Sequence, residues 1–262
     1  MSEQPTQVAI LSAGMRDMLP VLDKPAAQRV IEHFVRIGYR RILVLGDDHS
    51  TAVRDFLGSG ERWGVSIEHH ARQPGLSTEG HRHALGLTAD TPCGIGDLSS
   101  LPPSDDDPGF SVATDREYLE AGLRLLRERT TSLPGAIDVA RSATVHPDAV
   151  LEGPVYIGAH CRVMAGAHIG PEVILGQGSV VEAKTHLREC TVLPDTHIGP
   201  SLDIRHAIAA PGMLSSISNE VCVTGIDSHL LGPVTLEAGA HSIQPAAPRA
   251  QKGFFRRLFS FK

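Results

Sequence analysis

The sequence predicts a chain of two parts, an α/β domain followed by a left-handed parallel β-helix. Strands and helices alternate at short spacing in the first half, and aliphatic residues recur every six positions in the second half. Aromatic residues make up only 4% of the chain, which contains 26 glycines. This composition favours sheet architectures over a helix bundle. A length of 262 residues is enough for two domains.

The first half alternates between predicted strands and helices. The predicted order is strand, helix, strand, helix and strand, at residues 7–12, 26–37, 41–45, 50–57 and 65–67. Within the first helix, Val30, Phe34 and Ile37 have helical spacing, and Gly38 follows as a helix end. Because strands alternate with helices, we expect a parallel sheet covered by helices.

The second half contains a six-residue repeat. Ten successive positions at this spacing are aliphatic: Val139, Val145, Leu151, Ile157, Val163, Ile169, Leu175, Val181, Leu187 and Leu193. One inward aliphatic residue in every six is the hexapeptide pattern of left-handed β-helices, in which three short strands close one coil. After Leu193 the frame slips by one residue, and residues 213–240 are predicted to form a less regular cap over the last strand edges.

The first half also carries a set of motifs in a fixed order: LSAG (11–14), MLPV (18–21), KP (24–25), VIEHFVRIGYRRILVL (30–45), GSGERWGVSIEH (58–69), GLSTEG (75–80), Gly96-Asp97 and TDREYLEAGLRLL (114–126). Together they resemble the sugar-phosphate nucleotidyltransferases, also called NDP-sugar pyrophosphorylases. That family commonly joins its α/β domain to a left-handed β-helix. The resemblance covers most of residues 7–204.

The resemblance implies a division into three segments. Residues 1–132 are expected to form a shortened Rossmann-like domain of the nucleotidyltransferase type, and residues 133–244 the β-helix with its cap. Residues 245–262 are a linker and a tail.

The resemblance also implies a nucleotide site at the end of the first strand. Gly14, Arg16 and Lys24 are the candidate phosphate-binding or nucleotide-binding residues; Arg16 stands in the place of a family lysine and Asp17 in that of the adjacent proline. Asp97 corresponds to the aspartate that holds Mg²⁺. No cofactor follows from the residues themselves, and Mg²⁺ is implied only if the site is active.

Three elements of the family's reaction are missing from the sequence. Gly14-Met15 runs directly into Arg16 where the family has its Gly-x-Gly-Thr-Arg phosphate loop. Residues 99–113 replace a long sugar-binding segment, and Ser111 stands where a second metal-binding aspartate is expected. Because nucleotidyl transfer depends on groups that position and stabilise phosphates, the sequence predicts a non-catalytic protein.

Two enzymatic alternatives stay open. The first is an active sugar-1-phosphate nucleotidyltransferase with a minimal site. The second is a hexapeptide-repeat acyltransferase, in which a coil histidine serves as general base. His160 and His168 lie in the most regular coils, and the sequence does not choose between them.

The tail is basic and aromatic and follows a proline-containing linker. On a helix its apolar residues gather on one side, which predicts docking to a membrane surface or a partner through Phe254, Phe255, Arg256, Arg257, Leu258 and Phe259. Residues 201–232 resemble the end of nucleotidyltransferase-like proteins linked to polyprenyl-phosphate sugar transferases of bacterial exopolysaccharide synthesis. This resemblance implies work in cell-surface polysaccharide synthesis, with a nucleotide or sugar nucleotide and an inner-membrane sugar transferase as partners.

Net charge and composition limit which other functions and locations are expected. The net charge is −6 and no basic stripe is present, which argues against nucleic-acid binding. The chain starts without a secretion leader and contains no apolar run long enough to span a membrane, so we expect a cytoplasmic protein, peripheral at the inner membrane. The four cysteines lie outside any CxxC motif and are expected to be reduced thiols. A homo-oligomer is compatible with these features.

Overall fold

The computed structural model describes residues 7–47, 50–87, 91–101 and 109–234. The chain divides into two compact units. The first unit holds the described residues up to Leu19 and from Lys24 to Ala113, and the second holds Pro20–Asp23 and the described residues from Thr114 onward.

The elements up to residue 111 are short. They are β1 (Val8–Ser12), β2 (Pro20–Val21), β3 (Lys24–Pro25), α1 (Ala26–Arg36), β4 (Arg41–Gly46), α2 (Thr51–Leu57), β5 (Ser66–Ala71), α3 (Thr78–Ala84), β6 (Cys93–Asp97), β7 (Ser100–Leu101) and β8 (Phe110–Ser111). A 3₁₀ turn covers Glu61–Trp63. The five predicted elements of this half are all present, with ends that differ from the prediction by a few residues at most.

A six-stranded sheet forms the centre of the first unit. Its order is β5-β4-β1-β6-β7-β8. The first four strands are parallel, and β7 pairs antiparallel with both β6 and β8. Every residue of β1 is buried, as expected for a parallel strand covered on both faces. Helix α1 buries one apolar stripe that includes Val30, Ile31 and Phe34. Because β5, β4, β1 and β6 are parallel, they end together at one edge of the sheet.

The second unit begins with one helix and continues in strands. Its elements are α4 (Asp115–Thr130), a 3₁₀ turn (Pro134–Ala136), β9 (Ile137–Val139), β10 (Thr144–Val145), β11 (Val150–Leu151), β12 (Val155–Ile157), β13 (Arg162–Val163), β14 (His168–Ile169), β15 (Val173–Leu175), β16 (Val180–Val181), β17 (His186–Val192), β18 (Thr196–Ile198), β19 (Asp203–Ala210), β20 (Met213–Ser216), β21 (Val221–Thr224) and β22 (Leu231–Pro233). Strands β9 to β19 form a parallel β-helix with three faces.

The inward positions of the β-helix follow the six-residue repeat. Six of them are buried with at most 2% of their surface exposed: Ile157, Val163, Ile169, Leu175, Val181 and Leu187. Val139, Val145 and Leu151 are less buried because strands β9, β10 and β11 of the first coil each pair with only one described strand. The interior is therefore a stack of aliphatic layers that is open at its first coil.

The predicted frame slip lies earlier than expected. Ile169 pairs with Leu187, but the next register pair joins Val173 to Cys190. The corner between Leu187 and Cys190 is therefore one residue shorter than the corner between Ile169 and Val173 on the preceding coil. As a result Val192, and not Leu193, aligns with Leu175. The expectation that the frame slips after Leu193 was wrong, because residues are lost at corners while the faces keep their pairing.

Antiparallel strands close the far end. Strand β20 pairs antiparallel with β19, β21 pairs antiparallel with β20, and β22 pairs antiparallel with β18. This arrangement covers the last coil within residues 213–234, in the region where the sequence predicts a cap.

Helix α4 packs on the β-helix and belongs to the second unit. A capping box joins Thr114 and Glu117 at its start. Near its end, Arg127 forms a two-pronged ion pair with Glu172, at 2.5 and 2.8 Å. The structure thus places α4 in the same unit as the β-helix, whereas the sequence analysis assigns these residues to the first domain.

Truncation of one inward residue tests the stacked core. We expect Ile169→Ala, at a position with no exposed surface, to lower the free energy of unfolding by about 2–5 kcal/mol through lost contacts and a cavity. The matched control is Val150→Ala on the preceding coil, where 54% of the side chain is exposed and the cost should stay within about 0.5 kcal/mol. Urea unfolding measures both, and equal losses would contradict the assigned inward register.

Candidate functional site

The parallel strands of the first unit place four charged residues near one edge. Asp17 follows β1, Asp47 follows β4, Arg72 follows β5 and Asp97 ends β6. The charges of Asp97, Arg72 and Asp47 all act on Asp17, so these side chains share one electrostatic neighbourhood. Open α/β sheets bind ligands outside the carboxyl ends of their strands, and this edge is therefore the candidate site.

The loop between β1 and α1 is closed by its own hydrogen bonds. The Gly14 N–H donates to Asp17 Oδ2 at 2.7 Å. The first N–H groups of α1 are also engaged, because Ala26 donates to the Leu19 carbonyl at 3.0 Å and Ala27 to the Asp17 carbonyl at 2.8 Å. N–H groups at a helix start are ready donors for phosphate. Here these donors already have acceptors within the chain.

The side chains of the candidate phosphate-binding residues have partners too. Arg16 Nη1 donates to the Val112 carbonyl at 3.3 Å. Lys24 Nζ lies 2.8 Å from Glu32 Oε2 in an ion pair. Partial burial raises the pKa of Glu32, but hydrogen bonds from Gln28 and Lys24 outweigh it and leave that pKa below its usual value. Phosphate binding by Gly14, Arg16 and Lys24 stays a prediction. It would require each residue to give up its contact within the chain for a contact with phosphate.

Asp17 is the central residue of the site, and the sequence identifies it only as the occupant of a proline position. Its relative exposure is 0%, and its Oδ1 atom has no hydrogen-bond partner within the described part of the chain. Burial raises the pKa of Asp17 to about 7; the Gly14 N–H and Arg72 act in the opposite direction, while the negative charges of Asp97 and Asp47 add to the rise. The available signal was an acid between Met15 and the Met18-Leu19 pair, in the loop that follows a buried strand.

Asp97 does not lie in a formed metal site. Its side chain is exposed at the end of β6, where Asp97 pairs in register with Ser12. Among the described residues, no group of three or more His, Cys, Asp or Glu side chains is placed to hold a metal ion. Ser111 supplies a hydroxyl, which accepts from the Ala113 N–H at 3.3 Å. Magnesium requires several oxygen ligands, so these residues do not fit a Mg²⁺ ion.

The coil histidines lie on the outside of the β-helix. The rings of His168 and His186 are 5.8 Å apart, and His168 Nε2 lies 3.4 Å from Glu152 Oε2. The His160 backbone N–H donates to Ser142 Oγ. These contacts give His168 a carboxylate neighbour, but an acyltransferase role for His160 or His168 stays a prediction.

The predicted docking residues of the tail lie outside the described residues. They are Phe254, Phe255, Arg256, Arg257, Leu258 and Phe259. Within the described ranges, no helix is long and apolar enough to cross a membrane.

The stacked three-strand coils place the second unit among parallel β-helix domains. Residues 151–236 match the family model described as the GMPPB C-terminal domain. This is the β-helix domain of sugar nucleotidyltransferases like GDP-mannose pyrophosphorylase. The match covers less than half of the chain, and its described residues, 151–234, lie in the β-helix and its cap. No curated protein matches the chain.

The buried Asp17 makes stability depend on pH. Because its folded pKa is raised, its contribution is fully present below the unfolded value of 3.8 and is lost as pH rises through about 7. A shift of this size corresponds to about 4 kcal/mol. Asp17→Asn keeps an oxygen acceptor for Gly14 and carries no charge, so we expect it to remove this loss.

The measurement is urea unfolding of both proteins between about pH 5 and pH 8, where the variant should gain stability over the native chain as pH rises. Asp55→Asn, which neutralises an exposed aspartate on α2, is the control and should track the native chain. Parallel curves for Asp17→Asn and the native chain would contradict the assigned burial.

Proposed function

We propose that this chain is a non-catalytic relative of the sugar nucleotidyltransferases that acts as a regulatory or scaffold protein in bacterial cell-surface polysaccharide synthesis. The match of residues 151–236 to the GMPPB C-terminal domain supports the relationship. The ordered motifs of the first half support it independently. The polysaccharide pathway is proposed from the resemblance of residues 201–232.

One observation carries the non-catalytic part of the proposal. The Gly14 N–H and the first N–H groups of α1 donate to Asp17 and Leu19 instead of facing an open phosphate site. Nucleotidyl transfer is accelerated by donors and cations that are already aimed at the phosphates. A loop that must first break its own hydrogen bonds lacks this preorganisation. The absence of a fitting Mg²⁺ ligand set among the described residues adds to it.

The proposed working surfaces are the β-helix and the tail. The β-helix offers rigid, hydrogen-bonded faces on which a partner can be positioned, and the tail would hold the protein at the inner membrane. An inner-membrane sugar transferase is the proposed partner, and a nucleotide or sugar nucleotide is the proposed small ligand. The protein would then act as a cytoplasmic, peripheral component.

The first experiment measures pyrophosphate release from nucleoside triphosphates and hexose 1-phosphates with Mg²⁺. We expect no release above the background without protein, because the donors of the β1–α1 loop are occupied. An active sugar nucleotidyltransferase assayed in parallel is the control. Turnover that disappears in Asp97→Ala would overturn the proposal and establish an enzyme with a minimal site.

The second experiment tests the tail. Deletion of residues 251–262 is expected to move the protein from the membrane fraction to the supernatant, because it removes the apolar and basic residues that would bind a membrane surface. Two full-length double variants separate the apolar from the electrostatic contribution to membrane binding. Phe254→Ser with Phe255→Ser removes apolar contact, and Arg256→Gln with Arg257→Gln removes positive charge. An unchanged distribution of the deletion variant would count against docking by this segment.

A further inference from the structure

Two of the three faces of the last β-helix coil are extended by a further strand. Strand β20 pairs with residues 207–210 of β19 on one face, and β22 pairs with β18 on another. Residues 203–205 of β19 form the third face, and within the described part of the chain they pair only with β17. These three residues are therefore an open edge, which presents unpaired backbone groups to a further strand.

The ladder on this third face shows which backbone groups are left over. The His168 N–H donates to the Thr185 carbonyl, and one coil later the His186 N–H donates to the Leu202 carbonyl. Asp203 follows His168 and His186 in register, so its N–H is directed away from β17 toward the next coil position. Among the described residues this N–H has no backbone acceptor. A strand added here would supply one.

An apolar groove, called here the end groove, lies beside the open edge. It has a volume of about 680 Å³, and its lining includes Asp203, Ile204, Arg205, Leu214, Val221 and Val223.

The wall of the end groove continues the interior of the β-helix. Leu214 pairs with Val223 and also with Ala209, which belongs to the buried interior. Because paired residues point to the same face, the side chains of Leu214 and Val223 extend the inward face of the sheet beyond the last coil. Val221 and Val223 are 51% and 48% exposed, so this wall is uncovered within the described residues. The end groove thus offers backbone partners on one side and apolar contact on the other.

We propose that the end groove binds the C-terminal tail of the same chain, residues 251–262, as an added strand. The inference rests on the proposed docking role of the tail, and it gives the tail a binding place on the protein itself that competes with the membrane. In strand addition the main-chain hydrogen bonds provide affinity, and pockets for alternate side chains provide specificity.

The tail has the side chains that such a strand requires. In a strand successive side chains point to opposite faces, so Phe255, Phe259 and Phe261 would share one face and could lie against the apolar wall. Arg256 would then lie on the opposite face. This is the outward side of the open edge, where the Asp203 side chain is 51% exposed.

The place where the described chain ends favours this segment as the occupant. The Val234 N–H donates to the Asp195 carbonyl, so the chain leaves from the last coil. Asp195 and Asp203 are eight residues apart along the chain, which limits their separation to about 29 Å. The twenty residues that lead from Val234 to Phe254 can span up to about 66 Å. The tail can therefore reach the end groove of its own chain, and the tether raises its local concentration there.

Hydrogen exchange of the full chain and of the variant lacking residues 251–262, both without membranes, tests the inference. We expect residues 203–205 to exchange about tenfold more slowly in the full chain, because the tail pairs with the open edge. Strand β15 lies inside the β-helix and should exchange equally in both proteins. Equal exchange of residues 203–205 in the two proteins would overturn the inference. Protection that grows with protein concentration would also overturn it, because it would assign the end groove to a second copy.

A charge on the apolar wall supplies a second test in the full-length protein. Val223→Asp should remove the protection of residues 203–205 and leave that of β15 unchanged. Val150→Asp, at an equally exposed valine of the first coil, is the matched control and should keep the native protection. Protection that persists in Val223→Asp would overturn the inference.

Competition with the membrane is measured by sedimentation with anionic phospholipid vesicles. Val223→Asp frees the tail and should bind these vesicles several-fold more tightly than Val150→Asp does. Equal binding by the two variants would overturn the competition. The proposed membrane docking fails by a different result, which is an unchanged membrane fraction after deletion of the tail. Exchange at the open edge is measured without membranes and does not depend on that outcome.

Discussion

Each coil of the β-helix buries its inward side chains against the neighbouring coils. A coil at either end has a neighbour on one side only, and the rest of the second unit depends on this constraint. Ile157, Val163 and Ile169 are buried because a coil lies on either side, whereas Val139 in the first coil is 38% exposed. The antiparallel strands β20 and β22 meet the same requirement at the far end. Hydroxyls fill the interior where no aliphatic residue lies, as when Thr185 donates to the Gly199 carbonyl at 2.7 Å.

The sequence predicted those features that repeat or that follow a local rule. The six-residue spacing depends only on which residues point inward, so the β-helix could be predicted, and the strand-helix alternation gave the elements of the first unit. The position of the frame slip could not be predicted, because a corner residue has no pattern that marks its loss. Helix α4 was assigned by order along the chain, although its packing partners are the later coils.

The candidate site was predicted only in part for a similar reason. Gly14, Arg16 and Lys24 were found by their position in motifs, which says where a residue lies along the chain but not which atom it contacts. In the structure Gly14, Arg16 and Lys24 each contact a partner within the chain, namely Asp17, Val112 and Glu32. Asp17 fell outside every motif, and the charges that act on it come from Asp47, Arg72 and Asp97, which lie much later in the sequence.

The shortened corner before Cys190 has a consequence for how such chains diversify. A β-helix face tolerates no change in length, since one extra residue would turn its inward side chain outward. A corner can lose a residue while the strands on either side keep their pairing, as the corner between Leu187 and Cys190 does. Evolution can therefore lengthen or shorten corners to carry new binding loops while the stacked interior stays the same. Comparisons between related β-helices should count residues face by face rather than along a fixed period.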